Sequence, residues 1–249
     1  MNFRLSARAA SEFVGTAFLV AAVLGSGVMG ERLAAGNVAI ALLANTLATG
    51  AALAALILAL GPVSGAHLNP VVTLAAALQR ELAWSDVPIF LVVQCLGGLA
   101  GTVLAHLMFG LPWLSSSRHV RAGAPLAFAE FVATFGLLLV ILTCSRFHPA
   151  AIAPAVACYI SAAYWFTSST SFANPAVTLA RSFSDTFAGI RPTDAPAFIA
   201  SELLGAAAAL LLFRWFLTKL DRNFGLESPQ AAEAPDSSPT LTTEGPARR

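Results

Sequence analysis

Six long apolar runs dominate the chain, at roughly 11–30, 37–60, 87–110, 125–145, 150–167 and 196–217. Several reach the ~20 residues that a helix needs to cross the hydrocarbon core of a bilayer. In lipid no water satisfies backbone N–H and C=O groups, so runs of this length fold as helices whose hydrogen bonds are internal. Composition agrees: 57% of residues are hydrophobic and 11% charged, with a mean hydropathy of +0.75. Such values argue against a soluble globular domain. A net charge of +1 leaves no footprint for nucleic acid. The expected class is an all-α integral membrane protein, and six spans put both termini on one side.

The opening MNFRLSAR carries Arg4 and Arg8, a basic start that a cleavable leader also shows. The internal repeat, however, needs this segment as the beginning of a helix. Arg4, Arg8, Arg80, Arg146, Lys219 and Arg222 fall on the terminal side, and Arg32, Arg118, Arg121, Arg181 and Arg191 opposite. This weak bias places the termini in the cytoplasm of a cell-membrane protein. Cys95, Cys144 and Cys158 lie in apolar runs without paired spacing or a metal pattern with His, so they read as packing residues. No metal or cofactor is expected.

The chain also repeats itself. SEFVGTAFLV at Ser11 matches AEFVATFGLL at Ala129, which pairs Glu12 with Glu130. NPVVTLA at Asn69 matches NPAVTLA at Asn174 in six of seven positions, and QCLGG at Gln94 matches ELLGA at Glu202 more weakly. Each half, 1–110 and 125–220, then holds three spanning helices and one short segment, joined by a polar, surface-exposed loop at 111–124. Three spans is an odd number, so the second half runs upside down relative to the first. In inverted repeats of this kind, paired interrupted segments mark the central pathway. The remaining 221–249 turns to Ser, Pro, Glu and Thr, a disordered tail outside the membrane.

Asn is a strong N-cap and Pro suits the first helical position, so Asn69-Pro70-Val71 and Asn174-Pro175-Ala176 should each start a helix of about ten residues. Such a helix spans about half the bilayer core. Two of them inserted from opposite faces would meet at the midplane, N-terminus to N-terminus. The stretches leading in, GPVSGAHL and FTSSTSFA, are irregular backbone, tolerated at that depth only when buried in protein or lining water. Each half-helix start carries about half a positive charge, hostile to cations and protons. Each capping Asn keeps its amide NH2 free to donate into the pathway. A water or hydroxyl held there points its own hydrogens outward, which breaks a proton wire. Glu12 and Glu130, ionisable groups inside spanning helices, are functional by default. They accept hydrogen bonds from the leading stretches, with a protonated carboxyl bonded inside its own bundle, or a proton relay, as the alternatives. His67 is either a polar residue of the leading stretch or a ligand or pH gate.

The paired SGAHLNPVVTLA and SFANPAVTLARSF, with EFVGT and EFVAT opening the halves, resemble the aquaporin and glycerol-facilitator family over about 5–218. That resemblance implies six spanning helices and two re-entrant half-helices in an inverted 3+3 repeat, one pathway per subunit, and a homotetramer in the lipid bilayer. Two positions depart from the family. The first box is Asn-Pro-Val, and the Arg that normally follows the second box is Val177. Family spacing places the other selectivity-filter positions at Thr49, Ala162 and Ser171, where water-selective members use Phe and His and glycerol facilitators large aromatics.

Thr49, Ala162, Ser171 and Val177 are all small, so the resemblance implies a wide, weakly polar filter. The expected cargo is small and neutral: water, glycerol, urea, and metalloid hydroxides such as arsenite or antimonite. A water-selective pore and an ion-coupled secondary transporter are the alternatives; nothing in the residues suggests an enzyme. Arg181 lies one helical turn past Val177 and leaves two readings. It reaches back over the filter as an outer-mouth charge, or it pairs with Asp185 or with lipid headgroups. Cys158, one turn before Ala162, either packs or faces the pathway.

Overall fold

A computed structural model describes residues 3–224, with side chains as far as Thr218. Its elements are α1 (Leu5–Leu33), α2 (Val38–Ser64), α3 (Pro70–Leu78), α4 (Val87–Phe109), α5 (Ala124–Phe147), a 3-10 turn (Pro149–Ala151), α6 (Ile152–Phe166), α7 (Pro175–Arg181) and α8 (Ala195–Phe224). Six of the helical segments are long and apolar enough to cross a membrane; α3 and α7 are not among them. They are the two short segments foreseen, at 9 and 7 residues.

Local signals set the ends. The Asn37 side chain caps α2 by accepting from Ala39 N and Ile40 N, and Gly65 stops it with a left-handed φ of 93°. Helix α1 packs against α4, where a Cβ on Gly97 or Gly101 would strike the carbonyls of Phe13 and Ala17. Gly205 on α8 stands in the same relation to Phe131 on α5, the corresponding pair of the second half. Small residues let the backbones of these helices approach closely, the usual basis of helix packing in lipid. Helix α7 lies against α1 and α4, so the short helix of the second half is seated on spanning helices of the first.

The connection at 111–123 is mostly exposed, and it is also bonded to the segment that follows α7. Ser115 N donates to Phe183 O and Ser117 N to Ser182 O, both at 3.0 Å, while Arg191 N donates to His119 O at 2.8 Å. Arg121 turns inward and donates from its guanidinium to the carbonyls of Gly189, Ser169 and Phe187. Backbone carbonyls and amides at the end of α7 and beyond need partners, and this strap supplies several of them.

The described residues up to Arg214 form one compact body, and a second unit begins at Trp215. Within that unit the Trp215 and Phe216 rings lie 5.5 Å apart. Helix α8 continues to Phe224, beyond the boundary expected at 220. The rest of the expected tail, 225–249, lies outside the described residues.

Candidate solute pathway

The two leading stretches have one backbone design. Ala66 and Leu68 adopt left-handed φ values of 47° and 50°, and Ser171 and Ala173, their counterparts, adopt 50° and 49°. Residues with a Cβ hold that conformation at a cost of about 1–3 kcal/mol each, so the surroundings must enforce it. Two carboxylates do. Glu12 accepts from His67 N at 2.9 Å, Leu68 N at 2.7 Å, the Ser64 hydroxyl at 2.6 Å and Gln94 Nε2 at 2.8 Å. Glu130 accepts from Phe172 N at 2.9 Å and Ala173 N at 2.7 Å. Both carboxylates are fully buried.

At the junction, Asn69 Oδ1 accepts from Val71 N, and Asn174 Oδ1 accepts from Ala176 N and Val177 N. Neither amide nitrogen is wholly free, contrary to expectation. Asn69 Nδ2 donates to Ala173 O and Asn174 Nδ2 to Leu68 O, each at 2.8 Å, so each cap is bonded to the opposite half. An NH2 group has two hydrogens, which leaves one per Asn for the pathway.

A cavity of about 290 Å³ runs past this junction, and its wall includes Asn69, Asn174, Thr49, Ser171, Val177 and Arg181. Comparison with other proteins fixes what kind of molecule holds such a cavity. Residues 2–148 match the family described as "Major intrinsic protein". Aquaglyceroporin AqpS of Rhizobium meliloti (strain 1021) is 52% identical over 231 residues, 93% of this chain and 99% of that protein. The chain belongs to the major intrinsic protein family. Aquaporin NIP1-4 of Oryza sativa subsp. japonica is 35% identical over 150 residues, 57% of this chain and 51% of that one. The X-ray structure of the aquaglyceroporin from Plasmodium falciparum superposes with a TM-score of 0.66 at 20% identity, covering 87% of this chain and 97% of the other, a likeness of fold. Members of the family are channels rather than enzymes, and this one is a multi-pass membrane channel for small solutes.

In this major intrinsic protein several expected positions move. Pro70, Val71, Pro175 and Ala176 do not line the cavity; Val72 and Val177 do. The first two helical positions after each Asn turn away from the pathway, and Ala176 faces Gly98 of α4 through its carbonyl. The third position, about 100° further round each, returns to it. Val71 is therefore a packing residue at 1% exposed and not a constriction. Ala162 also leaves the site: it is exposed on the outer face of α6, as is Cys158 one turn before it. The face of α6 that lines the cavity carries Ile152, Val156, Ile160 and Tyr164. Tyr164 donates to Thr49 Oγ1 at 3.3 Å, and the sequence reading had missed it. The signal was present, since a phenol in an apolar helix needs a polar partner.

Arg181 points back into the cavity. It is 1% exposed, its Nε donates to Ala188 O, and its guanidinium carbon stands 3.3 Å above the centroid of the Phe172 ring. Asp185, the alternative partner, is bonded to Arg118 at 2.9 Å instead. In the same strap, the Arg118 backbone and side chain hold the Asp185 carboxyl below its ordinary pKa, and Arg191 does the same for Asp194. Burial, then the nearby Arg121 and Arg181, lowers the pKa of His119. At neutral pH this mouth presents arginine against neutral imidazole. His67 lines the cavity near the junction, with Nδ1 3.1 Å from Thr73 Oγ1.

Proposed function

We propose that this chain is a passive channel for small neutral solutes with a wide, weakly polar constriction formed by Thr49, Ser171 and Val177. The observation that carries this reading is Val177: two methyls face the cavity where the family resemblance leads one to expect a guanidinium. Its cargo is glycerol, urea, water and metalloid hydroxides such as arsenite and antimonite. Protons and ions are excluded at the Asn69–Asn174 junction. There the half-helix starts converge with positive polarity, and the remaining amide N–H of each Asn orients a solute oxygen. The 52% identical relative bears the name aquaglyceroporin, which agrees with passage of solutes larger than water. The channel sits in the cell membrane with both termini in the cytoplasm, as a homotetramer with one pathway in each subunit.

Tyr164 and Arg181 favour a second reading, a water-selective pore, because both add bulk and donors to a wall expected to be small and apolar. Proteoliposome swelling with water, glycerol, urea and arsenite separates the two. Uptake of the three larger solutes down their gradients supports the wide channel. Water flux alone would establish the narrow one, and accumulation driven by a proton or sodium gradient would replace both with a coupled transporter.

A further inference from the structure

Helices α5 and α8 bring two acids together in the interior of the second half. Glu130 and Glu202 are both 0% exposed, and neither lines the cavity. The helices approach closely at this level: a Cβ on Gly205, one turn past Glu202, would strike the carbonyl of Phe131, next to Glu130. The two carboxyl groups lie within hydrogen-bonding reach of each other. Glu130 accepts from Phe172 N and Ala173 N. Glu202 accepts from Thr178 Oγ1 at 2.6 Å through Oε1, and its Oε2 has no partner. Among the described residues, no other carboxyl group has a buried oxygen left in that state.

No cation is paired with either acid. The ion pairs among the described residues are Arg8–Asp86, Arg118–Asp185 and Arg191–Asp194. Arg181 of α7 lies near both acids, and Arg121 of the strap and Tyr159 of α6 lie near Glu130. Each is bonded elsewhere. Arg121 donates to three backbone carbonyls, Arg181 Nε to Ala188 O, and Tyr159 to the carbonyls of Val132 and Ala133. An isolated buried charge of this kind is costly, and a carboxyl so placed is neutralised instead.

The first half shows the same contact with its hydrogen in place. Gln94, at the position matching Glu202, donates from Nε2 to Glu12 at 2.8 Å. A glutamate has the shape of glutamine but can donate only when protonated. Two ionised carboxylates side by side repel, and paired acids settle this by holding one proton between them.

We propose that Glu130 and Glu202 form a buried proton-binding site, with one proton resident at neutral pH, carried by Glu202 and donated to Glu130. Glu130 keeps its acceptor role toward the leading stretch and gains the donor that Gln94 supplies to Glu12. The site lies behind the wall of the pathway, so its proton is structural and stays off the solute route. It is independent of which solutes the channel passes.

The test uses the full chain in a maltoside detergent, which has no carbonyl of its own. Infrared absorption at neutral pH is compared for the parent and Glu202→Gln, because a protonated carboxyl absorbs apart from carboxylates and amides. The parent should show that band, and Glu202→Gln should lose it. Unfolding in dodecyl sulfate, followed with an indicator dye in weak buffer, should release about one more proton per chain from the parent than from the variant. A band that survives unchanged in Glu202→Gln, or equal proton release from the two, overturns the site. If Glu202→Gln does not fold, the parent decides by its own spectrum: the band supports the site, and its absence overturns it.

Discussion

The two halves of the molecule share a scaffold and differ in what they hang on it. In both, a buried glutamate grips two consecutive backbone N–H groups, at His67 and Leu68 in one half and at Phe172 and Ala173 in the other. Beyond that grip they diverge. Gln94 Nε2 donates to Glu12 and to Thr73 Oγ1, whereas at the matching place Thr178 Oγ1 donates to Glu202 at 2.6 Å. The hydrogen-bond direction between threonine and its partner is reversed. His67 in one half corresponds to Phe172 in the other, and Ala76 corresponds to Arg181. The supporting carboxylates fix the backbone that makes a pathway possible, and the unmatched side chains make its two mouths chemically unlike.

Removing the shared grip should do the most damage. Each of Glu12→Ala and Glu130→Ala orphans two backbone N–H groups, at roughly 1–3 kcal/mol per buried orphan. Glu12→Ala also removes one bond each from Ser64 and Gln94, which keep Ser11 and Thr73 as partners. Both should abolish solute flux, and the loss of melting temperature in detergent should be larger for Glu12→Ala. Equal melting losses would show that the extra bonds from Ser64 and Gln94 contribute nothing.

Next in size is the position where the halves share an aliphatic residue, Val72 and Val177. Val177→Arg should cut glycerol and arsenite flux by tenfold or more, the discrimination that roughly 1–3 kcal/mol at a size-selecting site supplies. Water flux should fall far less. Equal passage of the larger solutes in parent and mutant would place their constriction elsewhere.

The reversed pair predicts unequal exchanges. Gln94→Glu sets a second carboxyl against Glu12 and should destabilise by about 2 kcal/mol, the scale of a lost bond to a charged group. Glu202→Gln keeps the acceptor for Thr178 and recreates the first-half residue, so its stability should stay within about 1 kcal/mol of the parent. Thermal melts of the two variants in one detergent compare them directly, and equal losses would mean that the halves tolerate either residue.

The smallest effect belongs to the strap. Asp185 and Asp194 have folded pKa values depressed by Arg118 and Arg191. Their contribution is present above the unfolded value of about 3.9 and is lost as pH falls through the lower folded value. Hydrogen-exchange protection at 111–123, taken relative to the intrinsic rate at each pH, should be unchanged from pH 8 to 5 and fall only below about pH 4. Lost protection already at pH 6 would point to His119 as the controlling group.

What could be read from the sequence was what repetition and capping encode. Asn69 and Asn174 declare helix starts through residue type and spacing, and Glu12 and Glu130 declare themselves as acids in apolar helices. Rotation about a helix axis was harder. Ala162 reads as a filter position by spacing, yet the 3-10 turn at Pro149–Ala151 and the packing of Ala163 and Ile160 set the phase of α6 so that Tyr164 faces inward. Val71 and Ala176 were misplaced for a similar reason, since nothing in the motif says which of three residues after a cap faces the pathway. The direction of Arg181 depended on the strap, where Arg118 had already occupied Asp185. That pairing joins residues 67 positions apart, beyond the reach of local pattern.

The exchanged bonds from Asn69 to Ala173 and from Asn174 to Leu68 also order the protein's birth. When the first half leaves the ribosome, Asn69 has its own helix to cap but no carbonyl to receive its amide, because Ala173 has not been made. Its re-entrant segment is held by first-half groups such as Glu12, Ser64 and Gln94 until Ala173 arrives to close the clasp. Synthesis of the last third of the chain is thus the step that completes the first third.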